Sequence, residues 1–148
     1  MKNRVVITGM GGVSSIGMSV PEIYNSLREG KSGIGQLEFP DVSRLKVKTG
    51  GQIKNFEPSN YFESKQVGRM DRFSQFALLA ANEAITTSGL KTFKEDWSEN
   101  AGIILGSSIG GIETINYSYK QVFEEGHNRL HPLTIPKIMN NSATSLIS

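Results

Sequence analysis

Cysteine is missing from this 148-residue sequence, which excludes a disulfide framework, a thiolate metal site and a cysteine nucleophile within it. Long apolar runs are also missing, because the β-branched run at residues 5–8 is far shorter than a signal-peptide core or a membrane span. Neither sign of charge dominates, because 16 basic and 14 acidic residues leave a formal net charge of +2. This charge is too balanced for a protein that binds duplex nucleic acid by neutralising many phosphates. We therefore expect a cytoplasmic protein that has neither a membrane nor a nucleic acid as partner.

Glycine, by contrast, is concentrated in a loop near the start. The run Val5 to Thr8 predicts a buried parallel strand, and it leads directly into "GMGGVSSIG" at residues 9–17. This loop is close to the G-x-G-x-x-G of a dinucleotide site. Such a site also needs a second strand about thirty residues on, ending near an acidic residue. The sequence has "GKSGIG" there, so we interpret the glycines as packing positions and keep an NAD- or NADP-binding oxidoreductase domain as the alternative.

The loop has a counterpart later in the chain. A second apolar run, Ala101 to Leu105, predicts another short buried strand, followed by "GSSIGG" and an apolar-periodic helix that ends before Gly126. Neither loop has the lysine of a phosphate-binding P-loop. Two strand–loop–helix units in one chain predict an α/β fold with a largely parallel sheet.

Helix signals divide the rest of the chain. Ser19 caps a first helix that Gly30 ends, and a short strand or turn is expected near Gly51-Gln52-Ile53. Asp71 can cap a long helix that stops at Gly89. That helix carries an alanine-rich stripe able to approach another backbone closely: Phe73, Phe76, Ala77, Ala80, Ala81, Ala84 and Ile85. A final helix starts at 140–142, and the sequence stops inside it, so we expect a truncated chain.

Candidate nucleophiles and acid–base groups lack the partners they need. Four loop serines have no adjacent histidine and acid, and we interpret them as turn residues: Ser14, Ser15, Ser107 and Ser108. His127 and His131 lie in "GHNRLHP", where neither cysteine nor clustered carboxylate completes a metal site. We expect both histidines to face solvent.

Five blocks of sequence carry a resemblance to a known family. In order they are "RVVITGMGGVSSIG", "KSGI", "MDRFSQFALLAANEA", "GIILGSSIGGIETI" and "HPLTIPKIMNN". Together they resemble the start of the elongating β-ketoacyl-[acyl carrier protein] synthases, the condensing enzymes of fatty acid synthesis. The resemblance implies a thiolase-like layered α-β-α fold, of which residues 1–148 would be most of the first of two similar halves, truncated before the catalytic cysteine.

The resemblance also implies a reaction and its partners. The family transfers an acyl chain from acyl carrier protein to a cysteine and decarboxylates malonyl carrier protein with two histidines. The resemblance implies that this cysteine and both histidines lie outside this sequence. It implies neither a cofactor nor a metal. A homodimer is implied. An alternative is a non-catalytic partner of the same fold, the chain-length-factor type. A chain lacking half of a duplicated fold should expose apolar surface and associate.

Seven residues of this chain match family positions with a role. Four match positions that border the acyl-chain pocket at the dimer interface: Ile109, Leu133, Thr134 and Ile135. The segment "PLTIP" stands where relatives often have aromatic residues, so the resemblance does not imply a pocket length or a chain preference. Lys65, Arg69 and Arg72 match basic residues that receive the acidic carrier protein, with Gly68 where relatives carry another basic residue.

Overall fold

The structure, a computed structural model, describes residues 4–39, 41–90 and 100–148. The described residues form two units, the first made of those up to 56 together with 79–90, the second of 57–78 together with 100–148. Its helices and strands follow in chain order: α1 (Val20–Arg28), β1 (Ile34–Gln36), β2 (Thr49–Gly51), a 3-10 turn (Pro58–Asn60), α2 (Ser64–Val67), α3 (Arg72–Ser88), α4 (Ile112–Phe123), α5 (Thr134–Ile138) and α6 (Ser142–Ile147).

The first helix begins and ends where the local signals predict. The Ser19 hydroxyl accepts a hydrogen bond from Glu22 N at 3.4 Å, and Gly30 ends the helix with φ +66°. The Glu22 carboxylate returns a bond to Met18 N, one residue before the predicted partner. The apolar face of α1 is open, since Leu27 is 64% exposed.

The two predicted parallel strands are wrong for the described residues. Neither Val5–Thr8 nor Ala101–Leu105 belongs to a strand, and Val5 and Ile104 are 92% and 101% exposed. In the described residues the sheet consists of β1 and β2, which pair antiparallel with Ile34 opposite Gly51. Strand β2 ends at Gly51, the residue at which the predicted strand begins. A β-branched run favours a strand, but its ladder needs neighbouring strands, and burial needs layers on both faces.

The long helix α3 has its predicted ends but a different buried face. It starts after Asp71 and stops before Gly89, whose φ is +72°. The predicted alanine-rich stripe is half-buried. The fully buried side chains of the helix are polar: Ser74 is 0% exposed and Gln75 is 5% exposed.

The second unit holds the small apolar core. Its buried apolar side chains are Phe62, before α2, Met70, shortly before α3, and Ala143, on α6. Helix α4 ends as predicted before Gly126, which has φ +72°. Large apolar side chains are exposed in both units, as expected for this chain, and association through them stays a prediction.

Candidate functional site

The first glycine loop, residues 9–17, packs directly on the backbone of α3. A Cβ atom at Gly9 would collide with the carbonyl oxygen of Ala84, and one at Gly11 would collide with that of Ala80. Only glycine leaves room for the two backbones to approach this closely. The predicted role of these glycines, and of the alanines opposite them, is confirmed.

A carboxylate on α3 accepts hydrogen bonds from backbone amides in and directly after the same loop. Glu83 Oε2 accepts a hydrogen bond from Gly12 N, and Glu83 Oε1 accepts one from Val20 N in the first turn of α1, both at 2.9 Å. Nearby, Thr87 Oγ1 accepts from Met10 N at 3.2 Å. A phosphate at a helix N-terminus would need these N–H groups. Because a negative side chain already uses them, the loop does not offer the cradle of a dinucleotide site.

The second glycine loop, residues 106–111, is held against the end of α5. Gly110 has φ +73°, and a Cβ there would crowd the carbonyl oxygen of Ile138. Gly111 N donates to that same oxygen at 3.2 Å. Ser107 Oγ accepts from Gly110 N at 3.2 Å. The loop turns so that Ile109 is 59% exposed and free to contact a ligand or another chain.

The other three predicted pocket residues lie at the start of α5. Leu133 is half-buried, Thr134 is buried and Ile135 is 61% exposed. His131 starts this helix: its Nδ1 accepts from Leu133 N at 3.1 Å, and its carbonyl accepts from Thr134 N at 2.9 Å. Since Gly111 contacts Ile138 at the other end of α5, the structure brings together the two elements that carry all four residues.

A cavity of about 420 Å³ in the second unit joins two of the predicted groups. It contains Leu133 of the pocket set and Arg69 of the basic set, and its lining is completed by Pro136, Met139, Asn141, Ser142, Ser145 and Leu146. Ile109, Thr134 and Ile135 are not among its lining residues. The arrangement is a mostly apolar hollow whose lining includes one arginine.

The three predicted basic residues differ in their surroundings. Lys65 on α2 and Arg69 after it are exposed. Arg72 is half-buried at the start of α3, with its Nε 3.9 Å from a Glu113 oxygen and its guanidinium 5.3 Å from the centre of the Phe76 ring. A cation held in this way is less available to a partner than the other two.

The remaining polar candidates have structural surroundings. His127 and His131 are exposed as predicted, with His127 Nε2 3.7 Å from a Glu125 oxygen. Ser14 lies in a backbone turn that it closes with Gly17. In the described ranges, the acidic and histidine side chains form no group of three or more that could hold a metal ion.

One carboxyl has a pKa displaced by its neighbour. The Ser43 hydroxyl and backbone N–H both donate to Asp41 and lower the pKa of that carboxyl below 3.8. Asp41 is fully exposed and belongs to none of the candidate groups. Within the part of the chain that the structure describes, no helix is both long and apolar enough to cross a bilayer.

The sequence did not predict the long-range hydrogen bonds of two carboxylates, Glu83 and Asp71. Glu83 was hidden in an alanine-rich helix, although a lone acid within that half-buried stripe is itself a signal of an internal partner. Asp71 was identified as the cap of α3, but it also accepts from Thr114 N at 2.8 Å and from the Thr114 hydroxyl at 2.6 Å. That second role joins residues 43 positions apart, beyond the reach of a local pattern.

Comparison with known families gives one match across nearly the whole chain. The model for the N-terminal domain of β-ketoacyl synthases matches residues 2–148. A 3-oxoacyl-[acyl-carrier-protein] synthase 2 of Staphylococcus aureus is 36% identical over 145 residues, which are 98% of this chain and 35% of the relative. The chain thus spans about a third of the length of the curated relatives it matches.

Solved structures show the same likeness. The ishigamide ketosynthase/chain length factor has a TM-score of 0.77 and 26% identity, covering 96% of this chain and 35% of the neighbour. A chain of AntDE:AntF, a type II PKS acyl-carrier protein in complex with its ketosynthase, has a TM-score of 0.75 and 19% identity, covering 100% of this chain and 39% of the neighbour. The structural likeness confirms the predicted thiolase-like α/β fold class.

Proposed function

Since the chain belongs to the β-ketoacyl synthase family, we propose that the protein carrying it is a 3-oxoacyl-[acyl-carrier-protein] synthase. It joins an acyl thioester to malonyl carrier protein, with loss of carbon dioxide, in cytoplasmic fatty acid synthesis. The observation that carries this proposal is 36% identity to such a synthase over 98% of the chain. The absence of cysteine means that the nucleophile comes from outside these residues.

The role of this chain is to shape the acyl pocket. Ile109 and Ile135 present exposed apolar surface, and an acyl chain that covers such surface removes both from water. Leu133, close to Ile135 in sequence, lines the neighbouring cavity, and the buried Thr134 anchors the start of α5. The residues of "PLTIP" are small beside aromatic side chains, which favours a roomy pocket.

The second role is reception of the carrier protein. Lys65 and Arg69 are exposed cations close together in sequence, and Arg69 is among the residues that line the cavity. Charge complementarity of this kind raises the rate of encounter with an acidic partner more than the final affinity. Arg72 belongs to the same proposal with a smaller share, because Glu113 and Phe76 already hold its guanidinium.

A chain-length-factor partner without a nucleophile remains the second candidate. The observation in its favour is the likeness to the ishigamide ketosynthase/chain length factor, at 26% identity. The two candidates share the pocket and differ in whether the protein becomes acylated. In either case we propose that the protein forms a dimer, because the exposed apolar side chains would be covered by a second copy.

Acylation and condensation assays on the full protein test the proposal. Incubation with acyl carrier thioester should acylate a cysteine, and malonyl carrier protein should then release carbon dioxide. Charge reversal at Lys65 or Arg69, as K65E or R69E, should raise KM for the carrier substrate about tenfold at low salt, because the encounter is steered by charge. The effect should shrink as salt rises.

The exposed Lys46 in the first unit provides the matched control, since K46E changes the net charge equally and should leave KM unchanged. A protein that is neither acylated nor able to condense alone would support the chain-length-factor candidate instead. Equal effects of K46E and K65E would contradict the docking surface. Sedimentation of the same preparation should give a dimer, and a monomer would overturn that part of the proposal.

A further inference from the structure

Asp71 is a buried carboxylate that serves two helices at once. Asp71 is only 4% exposed and lies immediately before α3. Oδ1 accepts a hydrogen bond from Phe73 N at 3.3 Å. Oδ2 accepts from Thr114 N at 2.8 Å and from the Thr114 hydroxyl at 2.6 Å. One side chain therefore closes the first turn of α3 and the first turn of α4.

Burial makes this arrangement demanding. A carboxylate removed from water is costly unless hydrogen bonds and positive charge replace its hydration. Three donors and the positive ends of two helices supply that replacement here. The short bonds to Thr114 are typical of donors that meet an ionised acceptor. The start of α4 is consequently held at a fixed place relative to the start of α3.

The carboxylate also lies against the second glycine loop. A Cβ at Gly111 would stand 3.1 Å from Asp71 Oδ2, so the loop passes directly over the acid. On its other side, Gly111 N donates to Ile138 O at the end of α5. Asp71 is thus in contact with the loop that presents Ile109, and the same loop is bonded to the helix that presents Ile135.

We propose that Asp71 is a positioning residue that sets the distance between the loop at Ile109 and helix α5, and thereby the length of acyl chain that the pocket accepts. This inference rests on the proposed function. Asp71 does not touch the acyl chain; it acts through Thr114 and Gly111. Loss of its bonds to Thr114 lets the start of α4 and the loop before it shift, and the pocket wall shifts with them.

The test uses the full protein with acyl carrier substrates of short and long chain. D71N keeps the shape of the side chain but replaces one acceptor by an NH2 group, which must face a donor at Phe73 or Thr114. T114V removes only the hydroxyl bond, and T114S retains it. We expect D71N to change the ratio of kcat/KM for the long-chain substrate to that for the short-chain substrate about tenfold. An apolar pocket discriminates by about this factor between substrates that differ by one methylene. The change should fall mainly on KM.

Thr114→Val should shift the ratio in the same direction by less, and Thr114→Ser should restore it. Ser74→Ala is the matched control: Ser74 is equally buried on α3, but its hydroxyl lies 3.4 Å from that of Ser142 on α6. It should lower stability without moving the ratio. An unchanged ratio in both D71N and T114V would overturn the inference, as would an equal shift in S74A.

A second readout separates this inference from the proposed function. Amide hydrogen exchange at residues 111–114 should become faster in T114V, a variant that retains the buried acid, and stay unchanged in S74A. A wild-type protein without condensing activity defeats the proposed function but leaves this measurement to decide whether Asp71 holds the loop. Unchanged exchange in T114V contradicts the positioning role directly.

Discussion

The two glycine-rich loops look alike in sequence and are held by the same device, yet they are left in different states. In each, a carboxylate accepts a hydrogen bond from an N–H in the first turn of the helix that follows the loop: Glu83, on α3, from Val20 N, and Asp71, directly before α3, from Thr114 N. The first loop is pressed onto the α3 backbone at two glycines. The second is fixed at its glycines and leaves Ile109 exposed. The first loop is therefore scaffold, while the second presents a side chain.

Glycine-to-alanine substitution should separate the loops most strongly. G11A places a methyl group against the Ala80 carbonyl, and we expect it to lower the free energy of unfolding by about 3 kcal/mol. In the second loop, a Cβ at Gly106 meets no described atom within 4 Å, so G106A should change it by no more than about 0.5 kcal/mol. Urea denaturation measures both. An equal loss of unfolding free energy in G11A and G106A would contradict the difference between the two loops.

Removal of the Glu83 charge should have the next largest effect. E83Q keeps one acceptor and turns an NH2 group toward Gly12 N or Val20 N, so we expect a loss of about 1.5 kcal/mol in the free energy of unfolding. Glu22 is the matched control, because it is exposed and accepts one bond, from Met18 N. E22Q should cost less than half as much. A neutral E83Q would show that the glycine contacts alone hold the loop.

Dinucleotide addition should have no effect. If the Glu83 carboxylate already occupies the amides of the first loop, NAD or NADP should neither raise the melting temperature nor bind saturably in calorimetry. The titration is run alongside on E83Q, which should also show no binding, because residues 5–8 form no strand and β1, which lies about thirty residues on, pairs antiparallel with β2. Saturable binding to the wild-type chain would make both loops ligand sites and remove the contrast between them.

Local chemistry was enough to predict the ends of α1 and α3. A serine hydroxyl, a proline in the first turn and a glycine with positive φ act within a few residues of each other, so Ser19, Gly30 and Gly89 could be interpreted without knowing the fold. The strands failed for the opposite reason. Val5–Thr8 has the composition of a strand, but its pairing depends on chain that lies elsewhere.

The candidate site shows the same division. The resemblance supplied Ile109, Leu133, Thr134 and Ile135, and the structure adds that their two elements meet at Gly111 and Ile138. The carboxylates that organise the loops could not be predicted by periodicity. Glu83 bonds an amide 71 positions away, and a helical pattern records which face a residue occupies but not what it reaches.

Glu83 joins two amides that lie eight positions apart, Gly12 N and Val20 N. One carboxylate therefore fixes the length of chain between them, because an insertion or deletion within residues 13–19 would move one amide out of hydrogen-bond reach. Such a change should lower the free energy of unfolding more than one of the same size within the exposed residues 44–47.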